Sequence, residues 1–173
     1  EQIVAERTAE LEEKNAELQA IFDAFPDLFF RISRDGTILD YKVGSSNVEQ
    51  LYASPSVFMG KAMREVLPPT VADKFEEARE EVLRTNSLAI VEYSLEMPGG
   101  KEDYECRITP FAEGATIAIV RNISDRKTAE AALVKERSLL RCLIDSIPDL
   151  IFYKDPNGVY QLCNPAFAQF VGR

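Results

Sequence analysis

Apolar positions fall seven apart at the start of the chain: Val4, Leu11 and Leu18, with Thr8, Asn15 and Phe22 as a second set four residues on from each. This a/d pattern predicts a helix over 1–24 with Asn15 at an a position, where a buried amide would fix register and strand number. The same stripe also suits an amphipathic helix lying on its own domain. Phe25-Pro26-Asp27 then stops the helix, since proline cannot supply the N–H that the ladder needs. Leu28–Ser33 reads as a strand, Asp35-Gly36 as a two-residue hairpin loop and Thr37–Val43 as the partner strand. That loop places Ile32 opposite Leu39 and Phe30 opposite Tyr41, all on one half-buried face.

Residues 46–87 predict short helices over Val48–Ala53 and Pro55–Met59, turns at Gly60 and Pro68-Pro69, and a longer helix over Val71–Thr85. Val71, Phe75, Ala78 and Val82 share one face of that helix. Glu76, Glu77, Glu80 and Glu81 form its solvated side, because a Mg²⁺ or Ca²⁺ site needs ligands converging from loops. Leu88–Met97 and Glu102–Phe111 alternate as strands around Pro98-Gly99-Gly100-Lys101, and Ala115–Arg121 is a third strand. With Gly99-Gly100 as the loop, Glu92 faces Arg107 as a cross-strand ion pair and Ser94 faces Glu105. Both pairs lie away from the apolar stripe of Val91, Tyr93, Leu95, Tyr104, Cys106 and Ile108. Ser124 or Asp125 caps a helix over 125–146, in which Leu133, Leu140 and Ile147 resume the seven-residue spacing.

Part of the pattern then repeats. Leu18–Tyr41 aligns without gaps to Leu140–Cys163, a shift of 122 residues. Phe-Pro-Asp-Leu-Phe-Phe at 25–30 matches Ile-Pro-Asp-Leu-Ile-Phe at 147–152, and Asp35-Gly36 matches Asn157-Gly158. So long a period indicates tandem domains rather than a solenoid. The expected organisation is a helix over 1–24, a complete domain over 25–124, a linker helix over 125–146 and the opening of a second domain over 147–173. Those last residues hold too few strands to bury an ordinary core alone.

Composition works mainly by exclusion. Apolar residues make up 46% of the 173, enough for a core, and the net charge of −9 opposes binding to nucleic acid or anionic membrane. No apolar run approaches the roughly 20 residues that span a bilayer. The opening at Glu1 suggests a fragment, so an anchor could lie outside it. Cys106, Cys142 and Cys163 are too few and unevenly spaced for a disulfide framework, and the sequence contains no histidine. Zinc, His-ligated haem, a phosphoacceptor histidine and the usual general base are thereby removed. Gly99-Gly100 lacks the Lys-Ser/Thr of a phosphate loop, and no catalytic constellation occurs.

The order of helix, two strands, several short helices, three strands and helix resembles the PAS fold, over about 20–126 and again over 143–173. The resemblance rests on Pro26-Asp27-Leu28-Phe29-Phe30 through Asp35-Gly36, on Phe58-Met59-Gly60-Lys61, and on Glu92-Tyr93-Ser94-Leu95 with Tyr104-Glu105-Cys106-Arg107. The exit Val120-Arg121-Asn122-Ile123-Ser124-Asp125-Arg126-Lys127 resembles the family's Asp-Ile-Thr-x-Arg-Lys. Asn122 stands for the usual Asp there, and Ser124 for Thr, leaving hydrogen bonding available.

What the resemblance implies is an α+β fold: a five-stranded antiparallel sheet with short helices on one face, flanked by N- and C-terminal signalling helices. It further implies a cytoplasmic sensor that dimerises and passes a signal to an output domain outside this chain. A histidine kinase is the expected output and a cyclic-di-GMP enzyme the alternative. This chain itself is expected not to be an enzyme. The cofactor stays unknown: the haem subtype needs a histidine, and the flavin-cysteinyl subtype a cysteine within 46–87, where none occurs. A pocket lined by Tyr41, Phe58, Met63, Phe75, Tyr93, Tyr104 and Cys106 would take a small apolar or aromatic ligand. Phe30, Ile32 and Val66 close over it. A filled core serving only dimerisation and relay is the competing expectation. Glu92, Arg107, Asn122, Ser124 and Asp125 are the candidate relay residues. Val4, Leu11, Asn15, Leu18, Phe22, Leu133 and Leu140 are the candidate homodimer seam. No partner nucleic acid or membrane is expected.

Overall fold

In the computed structural model, residues 2–43 and 51–172 are described, with side chains from Arg7 onward. The order is α1 (Gln2–Ala24), β1 (Leu28–Ile32), β2 (Ile38–Lys42), α2 (Pro55–Phe58), α3 (Met63–Val66), α4 (Pro69–Thr85), β3 (Ala89–Met97), β4 (Gly100–Pro110), β5 (Thr116–Asn122) and α5 (Ser124–Ser146). A second hairpin, β6 (Phe152–Lys154) and β7 (Tyr160–Cys163), and a short α6 (Pro165–Phe170) follow. The chain divides into two compact units, 1–124 and 125–173. Of the expected helix over Val48–Ala53, residues 48–50 lie outside the described residues, and 51–53 are not helical.

The first unit is built on a five-stranded antiparallel sheet in the order β2-β1-β5-β4-β3. Its inner face carries Leu28, Ile32, Ile38, Leu95, Tyr104, Cys106, Ile108, Ala118 and Val120, all buried. Over it lie Phe58 of α2, Met63 of α3, and Val71, Phe75, Ala78 and Val82 of α4. The last four are the predicted stripe of the long helix. Pro69 at the first turn starts α4, and Asn86 ends it in the left-handed region at φ 53°, its N–H donating to the Val82 carbonyl. Burying a side chain the size of Phe75 contributes about 1.5–3 kcal/mol.

The first hairpin departs from expectation at one pair. Phe30 faces Tyr41, but a bulge between Arg31 and Ile32 sets Ile32 opposite Ile38 rather than Leu39, which is exposed. The extra residue lets both isoleucines enter the core. Gly60 holds this edge, donating its N–H to the Ile38 carbonyl at 3.0 Å from a φ of +74°. That conformation is why the Phe58-Met59-Gly60-Lys61 step needs glycine.

The central hairpin corrects a second expectation. Glu92 faces Glu105, Ser94 faces Asp103, and Arg107 faces Ile90, so Glu92 and Arg107 are diagonal rather than directly opposite across the ladder. Met97 pairs with Gly100, leaving Pro98-Gly99 as the loop. Proline cannot donate to a ladder, and its fixed φ suits the first central turn position. The face assignment survives because the register moves by an even number of residues.

The second unit repeats the geometry of the first hairpin. Lys154 pairs with Tyr160 across a bulge, as Ile32 does with Ile38, and Gly158 takes φ +83° where Gly36 takes +91°. Asn164 is buried and ties this unit together. Its Oδ1 accepts from Ile151 N and Phe167 N, and its Nδ2 donates to the carbonyls of Ile147 and Asp149.

Candidate functional site

The space between α2, α3 and the inner sheet face is a cavity of about 60 Å³. β1 contributes Leu28 and Phe30, β3 contributes Tyr93 and Leu95, and Tyr104 and Val120 come from β4 and β5. Phe58, Met63, Val66 and Leu67 roof it, and Leu51, Tyr52 and Ala53 close one side. Ile38 completes the lining. Among the described residues of this wall, the hydrogen-bonding side-chain groups are three tyrosine hydroxyls. The volume is far below the ~300–1,000 Å³ of sites for drug-sized ligands.

Aromatic packing explains the shape. Phe58 sits edge-on to both Phe30 and Tyr41, with ring centres 5.8 and 5.2 Å apart. Tyr93 stacks on Tyr104 at 5.8 Å. Of the expected lining, Phe58, Met63, Tyr93 and Tyr104 face the cavity. Tyr41 lies behind Phe58, while Phe75 and Cys106 pack in the core beyond it. Burial pushes the Cys106 thiol up to about 12. The Tyr104 hydroxyl is also held well above its ordinary value, first by burial and then by its bond to Glu102. Burial likewise raises Tyr93. All three groups therefore stay neutral, and among the described residues that line the cavity none is an acid, base or nucleophile poised at neutral pH. Among the described residues, no group of three or more Asp, Glu, Cys or His side chains is arranged to hold a metal ion.

The exit of the sheet is densely bonded. Glu102 Oε2 accepts from both Tyr104 Oη at 2.8 Å and Asn122 Nδ2 at 2.6 Å. Asn122 Oδ1 accepts from Ser124 N at 2.9 Å, and Ser124 Oγ accepts from Asp103 N at 2.9 Å. Ile123 N donates to the Asp103 carbonyl, and Ser94 Oγ to Asp103 Oδ1. Asn122 thus bridges Glu102 and the start of α5 through the two ends of one amide. Asp125 is exposed in the first turn of α5, where its carboxylate suits the helix dipole.

Three polar features were not foreseen. Arg121 forks onto the buried Asp27 carboxylate, with Nε–Oδ1 at 2.8 Å and Nη2–Oδ2 at 2.7 Å. Arg79 is buried in α4 and donates to the Arg34 carbonyl at 2.7 Å, bracing the first hairpin loop. Arg107 pairs with Glu105, its neighbour two residues away, at 2.9 Å. Asp27 and Arg121 meet because β1 pairs with β5, and Arg79 reaches Arg34 because α4 packs near the first hairpin loop, so neither pairing is local in sequence.

The candidate seam residues divide. Leu11, Asn15, Leu18, Leu133 and Leu140 are exposed on their helices. Phe22 instead packs edge-on against Phe29 with ring centres 4.7 Å apart, so its side chain is engaged by its own domain. Val4 lies outside the described side chains. None of the helices, among the described residues, is long and apolar enough to cross a membrane.

Comparison with known proteins agrees with this architecture. The profile of the PAS fold matches residues 22–128, and that of a PAS domain matches 138–173. No curated protein matches the chain. A PAS domain from Colwellia psychrerythraea is 17% identical, covering 66% of this chain and 98% of its own with a TM-score of 0.51. A domain of a sensory box sensor histidine kinase/response regulator from Geobacter sulfurreducens is 17% identical, covering 64% and 96% with a TM-score of 0.50. The PAS domain of an HTR-like protein from Haloarcula marismortui is 23% identical, covering 69% and 99% with a TM-score of 0.49. At such identities the likeness is one of fold.

Proposed function

Because the chain belongs to the PAS family, we propose that residues 25–124 are a sensor domain that takes a small apolar or aromatic ligand and signals through the helix that follows its sheet. The observation that carries this reading is the tyrosine-walled cavity lined in part by Val120 of β5, the strand that runs into α5 through a single residue, Ile123. The domain works as a parallel homodimer through the exposed leucines of α1 and α5, and residues 138–173 belong to a second PAS domain in tandem. The output lies outside this chain and is a histidine kinase, the class named for the Geobacter protein. Its site is the cytoplasm, where free cysteines such as these three persist. The module itself is not catalytic.

A second reading is favoured by the cavity's small volume, about 60 Å³. In it, the domain binds nothing and only dimerises and relays. Melting of the chain with indole or 1-octanol present separates the two. For the sensor, a saturating probe raises the melting temperature by several degrees, since ligand at about 100 Kd adds about 2.7 kcal/mol. Filling the cavity by Ala53→Leu then removes the shift. No shift in the parent chain with either probe leaves the relay reading standing.

A further inference from the structure

Among the described cavity residues, Tyr104 is the one whose polar group is wired directly to the sheet exit. Its ring lines the cavity and is 2% exposed, while its hydroxyl donates to Glu102 Oε2 at 2.8 Å. The same oxygen accepts from Asn122 Nδ2 at 2.6 Å, and the other end of that amide accepts the N–H of Ser124, where α5 begins. We propose that this chain of bonds is the read-out of the cavity: Tyr104 reports occupancy, and Glu102 Oε2 is the shared acceptor through which the Asn122–Ser124 bond is held or released.

The chemistry lies in the sharing. A carboxylate oxygen that serves two donors is aimed by both, so removing one re-aims the group toward the other or toward water. An occupant that accepts the Tyr104 proton, or that displaces the ring, withdraws one donor from Glu102. Asn122 must then reorient, and the Ser124 N–H loses its fixed acceptor. An amide is suited to this place because it donates to Glu102 and accepts from Ser124 at once, which a carboxylate could not do. The signalling ligand is accordingly an apolar body carrying a hydrogen-bond acceptor, while a pure hydrocarbon fills the cavity without signalling. The purpose of the device rests on the sensor reading above, but its mechanical connection does not.

Hydrogen exchange on the full chain, with no ligand added, tests the connection. Tyr104→Phe removes only the hydroxyl. It is expected to speed exchange of the Ser124 and Ile123 amides roughly tenfold, the effect of one bond to a charged acceptor, while amides of α4 keep their rates. Tyr93→Phe, a cavity neighbour outside the chain of bonds, leaves Ser124 unchanged. Glu102→Ala reproduces the Tyr104→Phe effect, and Glu102→Gln, whose carbonyl still accepts from both donors, retains most of the protection. Unchanged Ser124 exchange in Tyr104→Phe overturns the proposal. So does equal acceleration by Tyr93→Phe, or acceleration spread evenly over the whole domain. Because no ligand is present, failure here is distinct from failure of the cavity to bind indole or 1-octanol.

Discussion

Cys106 shows how burial alone decides the chemistry of a residue. Its side chain is fully buried on the inner face of β4, and the thiol is pushed from 9.0 up to about 12. Between those values the unfolded chain has released this proton and the folded chain keeps it. Stability therefore falls as pH rises from about 9 toward 12, by at most about 4 kcal/mol from this group at ~1.36 kcal/mol per unit. Tyr93 and Tyr104, raised for the same reason, add to the loss above the ordinary tyrosine range. The expected outcome is a melting temperature that drops across that alkaline window, with a shallower drop in Cys106→Ala. Parallel curves for the two proteins would contradict the assignment. Other residues owe their roles to partners distant in sequence. Asp27 and Arg121 each stood in a recognisable motif, yet they meet because β1 pairs with β5. No local pattern shows that pairing.

At the scale of elements, strands were legible and their register was not. Alternation assigns the inward face correctly from either loop, because any even shift preserves it. The loop itself is decided by the backbone requirements of two residues. Pro98 enters the turn, and Gly100 closes it at φ +120°, a region that residues with a Cβ avoid. Neither Gly99 nor Gly100 would bring a new methyl within 4 Å of another group, so conformation alone distinguishes them. Gly100→Ala should cost about 1–2 kcal/mol in denaturant unfolding, and Gly99→Ala less than about 0.5 kcal/mol. The reverse order would mean that the loop is Gly99-Gly100 after all. The helices show the same division. The apolar stripe of α4 was plain from its spacing, whereas buried Arg79 on that helix draws its role from the Arg34 carbonyl of a hairpin 45 residues away.

For the molecule as a whole, the proposed relay turns on what the two long helices do. β5 ends at Asn122 and α5 begins at Ser124, so no flexible segment separates sheet from helix. Leu133 and Leu140 are exposed on α5, as are Leu11 and Leu18 on α1, which leaves these seams available to a second copy. In the proposed relay, phase along α5 carries the signal. One residue inserted after Arg126 turns everything downstream by about 100°, while seven nearly restore the seam. In the parent protein, the single insertion is expected to lock or abolish output and the seven-residue insertion to keep regulation. Equal effects of the two, or a fragment that sediments as a monomer at high concentration, would refute helical relay.

Hydrophobic periodicity, helix breakers and turn dipeptides are local, and so the sequence by itself determined the order of the strands and long helices, the inward faces of β1, β3 and β4 and the recurrence of the Pro-Asp hairpin after 122 residues. Composition determined the absence of histidine chemistry. Tertiary structure alone decided the strand order β2-β1-β5-β4-β3, the shift in the central register and the docking of Phe22 on Phe29. It also decided that the aromatic wall nearly fills its own cavity, leaving about 60 Å³. These follow from pairings and packing between residues far apart in the chain, where volume, backbone donors and the need to satisfy buried charges act together and no single segment carries the answer.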